Sequence, residues 1–294
     1  MLSPSQLDRL CVILVRARNP GNIGAVARAM HDFGFTRLRV VNEYPVPFEA
    51  AKSAVDASAV LAAATTHATL AEAVADCTLV VGTTAVGERT LHHPLLPLAQ
   101  AAPRLLAELR RESSGPSSVP PRVALLFGSE KTGLSNQELS HANWLLTIPM
   151  RNPGDARHVS MNLGQAAAVC LYELVRDPSV TAIGTNLPAP APAPQIVPAA
   201  ATNFSAPASP HPGSGEPAPD SAPAAQLEIL TALLTEVMQA TEYTRRHAHN
   251  ADPAHIRRLV RRIGADSIDA PVWIGILKQI LWKLGVPPEE PPRA

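Results

Sequence analysis

The chain has 294 residues, room for one large domain or two ordinary ones, and its 46% hydrophobic against 17% charged content is that of a folded protein. Lys plus Arg and Asp plus Glu stand at 25 each, so overall charge names no polyanionic partner and any electrostatic footprint has to be local. Thirty prolines exceed what helices and strands absorb, so part of the chain is expected to be linker.

The opening MLSPSQLDRL lacks the basic-then-apolar pattern of a signal peptide, and no window reaches the roughly 18 apolar residues of a membrane span. Cys11, Cys77 and Cys170 are widely spaced and sit in apolar runs, as small core residues of a reducing compartment would. A soluble cytoplasmic protein is expected.

Five short apolar runs alternate with helical patterns: LCVILV (10–15), LRVV (38–41), TLVVG (78–82), VALLF (123–127) and LLTIP (145–149). Near-continuous apolar strands separated by helices predict an α/β fold with a mostly parallel sheet covered on both faces. A helix is expected from about Gly24 to a glycine stop at Gly34, and Ser135 with Glu138 forms a capping box. Leu163, Ala166, Ala167, Cys170, Leu171 and Leu174 make a helical stripe that puts Ser160 at its cap.

From about 187 to 225, Pro alternates with Ala and Ser, a composition with little to bury that predicts a flexible spacer. The implied division is an α/β domain over 1–180, a linker over 181–225 and a helical domain over 226–294. Leu227, Leu230, Leu234, Val237 and Thr241 mark one tail helix. Asp252, Pro253 and Gly264 bound a second, and a third near 271–284 turns Trp273, Leu277, Ile280, Leu281 and Leu284 inward.

Familiar nucleotide motifs fail. GSEKTGLS (128–135) has glycines at P-loop spacing, but Leu134 stands where the phosphate-binding lysine must be, and no G-x-G-x-x-G follows a strand. Three polar clusters remain at the carboxyl ends of strands, where open parallel sheets place ligands. These are NPGNIGAVARAM (19–30), with Asn22 and Arg28, LLFGSEKTGLSNQEL (125–139), with Gly128 and Glu130, and IPMRNPGDARHVSMNLGQA (148–166), with Ser160 and Asn162. His158 in the last reads as an exposed loop residue.

NIGAVAR, LLFGSEKTGLSNQEL and IPM followed by VSMNLGQAAAV resemble, in order and spacing, the three motifs of the SpoU branch of the SPOUT RNA 2′-O-methyltransferases. The resemblance runs over roughly 8–177, and the helical tail is similar to that of the TrmJ-type tRNA methyltransferases of this branch. It implies a homodimer, S-adenosyl-L-methionine as cofactor, and a trefoil knot at the carboxyl end of the α/β domain, an exception to the rule against knotted chains. It implies methylation of a ribose 2′-hydroxyl in tRNA, with nucleotide 32 of the anticodon loop as the preferred site. Ribosomal RNA, another tRNA position, or a non-catalytic RNA-binding protein on the same scaffold are the alternatives.

Carried over by motif, the resemblance implies Asn22, Arg28, Glu130, Ser160 and Asn162 as the catalytic set. It implies Thr83, Thr84, Ala85, Gly128, Ile148, Val159, Ser160 and Met161 as the cofactor-binding set, with no metal. A guanidinium rarely loses its proton, so Arg28 is expected to act as an electrostatic partner of the ribose oxygen and phosphate, not as a base. Two departures touch the RNA side. Ser129 stands where the tRNA group commonly has a basic residue, with Lys131 keeping charge nearby, and the loop at 151–159 is long and adds Arg157 and His158.

Between 243 and 262 the tail holds Arg245, Arg246, Arg257, Arg258, Arg261 and Arg262 against one acid, Asp252. On the second tail helix, Ile256, Leu259, Val260 and Ile263 are expected to face a core. Arg257, Arg258, Arg261 and Arg262 would then share a cationic face suited to RNA phosphates, alongside Lys131 and Arg28. An ordinary solvated face is the other reading of that pattern.

Overall fold

A computed structural model describes residues 1–42, 58–85, 90–112, 120–151, 161–176 and 220–286. In chain order its first half runs α1 (Pro4–Leu7), β1 (Leu10–Val15), α2 (Pro20–Asp32), β2 (Arg37–Val41), α3 (Ser58–Ala62), β3 (Thr65–His67), α4 (Leu70–Val74) and β4 (Leu79–Thr83). It continues through β5 (Leu95–Pro97), α5 (Leu98–Arg110), β6 (Val123–Phe127), α6 (Asn136–Leu139), β7 (Trp144–Thr147) and α7 (Leu163–Val175). After residue 219 come α8 (Ala224–Ala240), α9 (Tyr243–Arg246), α10 (Pro253–Ile263) and α11 (Asp269–Lys283).

The strands form one seven-stranded sheet in the order β3-β2-β1-β6-β4-β7-β5, and every neighbouring pair is parallel. β1 and β6 are buried along their whole length, because alternate residues of a strand point to opposite faces and both faces are covered. Leu10, Val12 and Leu14 enter a core built with α2, α5 and α7, while Cys11, Ile13 and Val15 enter a second with α4 and Leu139. All three cysteines are buried and free. Two strands went unread in the sequence. β3 is three residues, TTH, and β5 is LLP at the sheet edge, too short for a pattern to register.

α2 starts earlier than its apolar pattern suggests. Asn19 caps it by accepting from Gly21 N–H at 2.9 Å, and Pro20 occupies its first position. Arg28 therefore lies in the third turn of α2. The stop at Gly34 holds, with φ of +81°. The cap of α7 is Asn162, whose side chain accepts from Gly164 N–H at 2.9 Å, in place of the expected Ser160, which lies outside the described residues.

The described residues resume at Asp220, inside the expected linker. The reason is burial: Ala222 and Ala224 are fully covered, Ala224 N–H donates to Cys77 O at 2.9 Å, and Ala225 N–H donates to Ala75 O at 3.0 Å. Asp220 pairs with Arg111 at 2.8 Å. The remainder of that linker, and residues beyond 286, lie outside the described residues. The partners Ala75, Cys77 and Arg111 all precede strands, so the tail is anchored at the amino edge of the parallel sheet.

The tail helices face otherwise than expected. On α10, Ile256 and Val260 are buried, but Leu259 and Ile263 are 39% and 55% exposed. On α11, Leu277 and Leu281 are buried, whereas Trp273, Ile280 and Leu284 are exposed. Arg257 and Arg261 turn inward because Glu228 of α8 is there to receive them. Arg257 Nε donates to its two oxygens at 3.1 and 2.9 Å, and Arg261 Nη2 donates to Oε1 at 3.2 Å. A buried guanidinium needs such a carboxylate. Arg257 Nη1 also donates to Ser140 Oγ at 3.1 Å, and His141 Nδ1 lies 3.3 Å from Glu228 Oε1, so Glu228 joins tail to α/β half.

Candidate active site at the carboxyl edge of the sheet

The site grows from the carboxyl ends of β1, β6 and β7 and from the amino ends of α2 and α7. Those two helices pack closely because Gly164 has no side chain, and a Cβ there would lie 2.6 Å from Ala25 Cβ. Their contact brings Asn162 beside Asn22. Asn162 Nδ2 donates to Asn22 Oδ1 at 3.2 Å, and Asn22 Nδ2 donates to Glu130 Oε1 at 2.9 Å. With Gly164 N–H feeding Asn162 Oδ1, every donor and acceptor in this run points one way, which fixes both amide orientations. One residue from each of three motifs thus joins a single hydrogen-bonded chain.

Gly128 follows the last residue of β6, and its loop folds back so that Ser129 bridges Gly133. A Cβ on Gly128 would sit 2.2 Å from Gly133 C and Leu134 N, so only glycine closes this turn. Gly133 at φ +64° completes it, with Ser129 Oγ and Thr132 Oγ1 at 2.8 Å. Glu130 and Lys131 project from this loop exposed.

Arg16, outside the three motifs, also belongs to this edge. It is one of two described non-glycine residues with positive φ, at +57°, and its N–H donates to Val41 O at 2.8 Å. Its side chain crosses to the Gly128 loop. Arg16 Nε and Nη2 donate to Glu138 Oε1 and Oε2 at 2.6 and 2.9 Å, and Nη2 also donates to Gly133 O at 2.9 Å. Glu138 is the expected capping-box partner of Ser135, taking its N–H at 2.6 Å. Burial pushes the Glu138 carboxyl up, but Arg16 and the Ser135 N–H outweigh this and hold it below the usual carboxylate range. The signal in the sequence was an arginine ending a buried strand ahead of a glycine loop, but its partner lies 122 residues away.

Other expected site residues fall as follows. Thr83 ends β4 with Oγ1 donating to Leu126 O at 2.8 Å, and Thr84 N–H donates to Leu146 O at 3.0 Å. Ala85 is exposed, and Ile148 is partly buried one residue beyond β7. Met161 precedes the α7 cap; Val159, Ser160, Arg157 and His158 lie outside the described residues. Arg28 is exposed on α2 and makes no hydrogen bond or ion pair among the described residues. It stands about 9 Å along the helix from Asn22 and on another face, so this chain alone does not join it to the amide run. Arg257 and Arg261 are held within the tail contact, and Arg258 lies 3.8 Å from Asp252, which leaves Arg262 as the exposed member of the four. No group of His, Cys, Asp and Glu able to hold a metal occurs among the described residues.

The SpoU rRNA methylase family model matches residues 9–172, which hold the whole sheet and all three loops. The chain belongs to this family. A relative from Pseudomonas aeruginosa (strain UCBPP-PA14), the tRNA (cytidine/uridine/adenosine-2′-O-)-methyltransferase TrmJ, is 38% identical over 169 residues, 57% of this chain and 61% of its own. TrmJ of Yersinia pestis (strain Pestoides F), a tRNA (cytidine/uridine-2′-O-)-methyltransferase, is 37% identical over 57% of this chain and 60% of its own. The match therefore spans about three-fifths of these relatives. The crystal structure of TrmJ from Z. mobilis ZM4 superposes with a TM-score of 0.66 at 26% identity, covering 92% of this chain and 98% of that one. In this SpoU-family chain the amide run and the Gly128 loop lie within the matched span, while the tail lies outside it.

Proposed function

We propose that this chain is an S-adenosyl-L-methionine-dependent RNA 2′-O-methyltransferase acting on tRNA, with the ribose of nucleotide 32 as its target. The observation that carries the reading is the Asn162–Asn22–Glu130 run, which fixes a carboxylate where three strand-end loops meet. Transfer to a 2′-hydroxyl needs that oxygen aligned in line with the methyl group and its developing charge met by fixed dipoles. Glu130, oriented by Asn22, offers a carboxylate oxygen to accept from the ribose hydroxyl. The amino ends of α2 and α7 add positive dipole ends toward the same edge. Arg28, exposed and without a hydrogen bond or ion pair among the described residues, supplies a cation to the RNA phosphate and the forming alkoxide, as an electrostatic partner and not a base.

The strand-end residues suit the cofactor. Gly128 and Ile148 stand just past the last ladder pairs of β6 and β7, so their backbone groups lie beyond the sheet pairing, and Thr83 ends β4, the strand between these two. Together with Ala85, Val159, Ser160 and Met161 they would hold S-adenosyl-L-methionine, which supplies an electrophilic methyl group when bound. The reading brings with it a homodimer, a trefoil knot closing the α/β half, and a cytoplasmic setting.

Relatives named tRNA methyltransferases support tRNA as substrate, whereas the family's description favours ribosomal RNA as the second reading. Methyl transfer from tritiated S-adenosyl-L-methionine to unmodified tRNA and to ribosomal RNA, followed by nuclease mapping, separates them. Label at ribose 32 is expected from the wild type and its loss from Arg28→Ala, whose exposed helical position predicts unchanged folding. Label only in ribosomal RNA supports the second reading, and no label in either ends the enzymatic one.

A further inference from the structure

The arginines on α10 that the sequence marks for RNA are partly spent on Glu228, but the chain leaves another cationic cluster open at the far end of α8. Glu242 takes a left-handed backbone conformation, φ +55°, that turns the chain sharply from α8 into α9. Beyond this turn Tyr243, Arg245, Arg246, His247 and His249 are all exposed. The Tyr243 and His247 rings lie 4.5 Å apart at 36°, and His249 meets His247 edge-on at 6.1 Å. Asn250 Nδ2 donates to Tyr243 Oη at 2.9 Å, which pins the tyrosine ring. Arg245 reaches Glu242 only at 3.5 Å, with side chains 79% and 58% exposed, so its charge remains available.

Building on the RNA methyltransferase reading, we propose that this cluster is a contact for unpaired RNA, with the Tyr243 and His247 rings as a stacking platform and Arg245 and Arg246 as phosphate contacts. Two features favour RNA over a solvated surface. Three exposed rings are gathered and one is fixed by a hydrogen bond, an arrangement that loses little entropy when a base stacks on it. Two arginines follow the tyrosine within one turn, close enough for a single strand to offer a base and a phosphate together. At Arg257 and Arg261 of α10, by contrast, RNA would have to displace Glu228 from a buried pair.

The test uses the full chain and unmodified tRNA. Affinity is measured against salt for the wild type, Tyr243→Ala and the Arg245→Ala/Arg246→Ala double variant, alongside single-turnover methyl transfer at saturating tRNA. The double variant is expected to lower the slope of log affinity against log salt by roughly 1.5, and Tyr243→Ala to weaken binding about tenfold. The saturated transfer rate should stay at wild-type level in both. A Tyr243→Phe variant, which keeps the ring and loses only the Asn250 bond, is expected to recover most of the affinity that Tyr243→Ala loses and guards against misreading a folding defect. Unchanged affinity and salt slope in the first two variants, with wild-type transfer intact, would overturn the inference and leave the enzymatic reading standing. Absence of transfer by the wild type would instead sink that reading, and binding of a single-stranded oligonucleotide would still report on the cluster.

Discussion

Asn162 does two jobs that a single-atom exchange separates. Its Oδ1 caps α7, and its Nδ2 donates to Asn22. In Asn162→Asp the cap survives, but the donor is lost; Asn22 has to turn its own amide to face the new carboxylate, and Glu130 then loses the N–H that orients it. Stability in urea is expected to stay within about 1 kcal/mol of wild type, while methyl transfer drops by about two orders of magnitude. Arg16 gives a second case. Arg16→Gln removes the fork that holds Glu138 and Gly133, so kcat is expected to fall about tenfold with little change in the RNA KM. Arg16→Lys should rescue little, because one ammonium cannot bridge both carboxylate oxygens and a carbonyl. Steady-state kinetics on both variants decides the matter. Neither link was legible in the sequence, since each joins residues over a hundred positions apart.

Among the elements, β1 and β6 could be read with their limits because both are continuously apolar and buried on two faces. β3 and β5 could not, because three residues at a sheet edge carry no periodicity. α10 shows the limit of amphipathic reasoning. Its ends are those the sequence indicates, Asp252 accepting from Ala254 N–H at 3.0 Å and Gly264 at φ +67°. Its rotation is not, because the hydrophobic pattern cannot know that a carboxylate awaits the arginines. Asp252→Ala is expected to cost about 1 kcal/mol, read by chemical denaturation, since it removes both the cap and the acid beside Arg258.

At the scale of the molecule, the contact between tail and sheet depends on pH. Burial works against ionisation of Glu228, but His141 and Arg257 outweigh it and bring its carboxyl from an ordinary 4.5 to about 2. A depressed acid stabilises the fold above 4.5, and that contribution is lost as pH falls from 4.5 toward 2. His141 acts in the same direction. Burial is the main cause holding its imidazole below 6.5, so acidification through that value favours the unfolded chain. Thermal melts are therefore expected to lose stability below pH 6.5 and more steeply below 4.5, and Glu228→Gln should be less stable at neutral pH yet flatter across the acid range. Equal acid slopes for the two proteins would show that Glu228 does not govern the contact.

The sequence alone determined the parallel α/β class, the three motif loops and the helical tail, because apolar runs, caps and glycine turns are local and the motifs keep their spacing. The tertiary structure decided which motif residues touch, that Arg28 stands apart from them, and that Arg257 and Arg261 bind Glu228 in place of solvent. Those outcomes depend on where distant side chains meet once the sheet has formed. A charge pattern gives the sign of a face but not the partner that neutralises it.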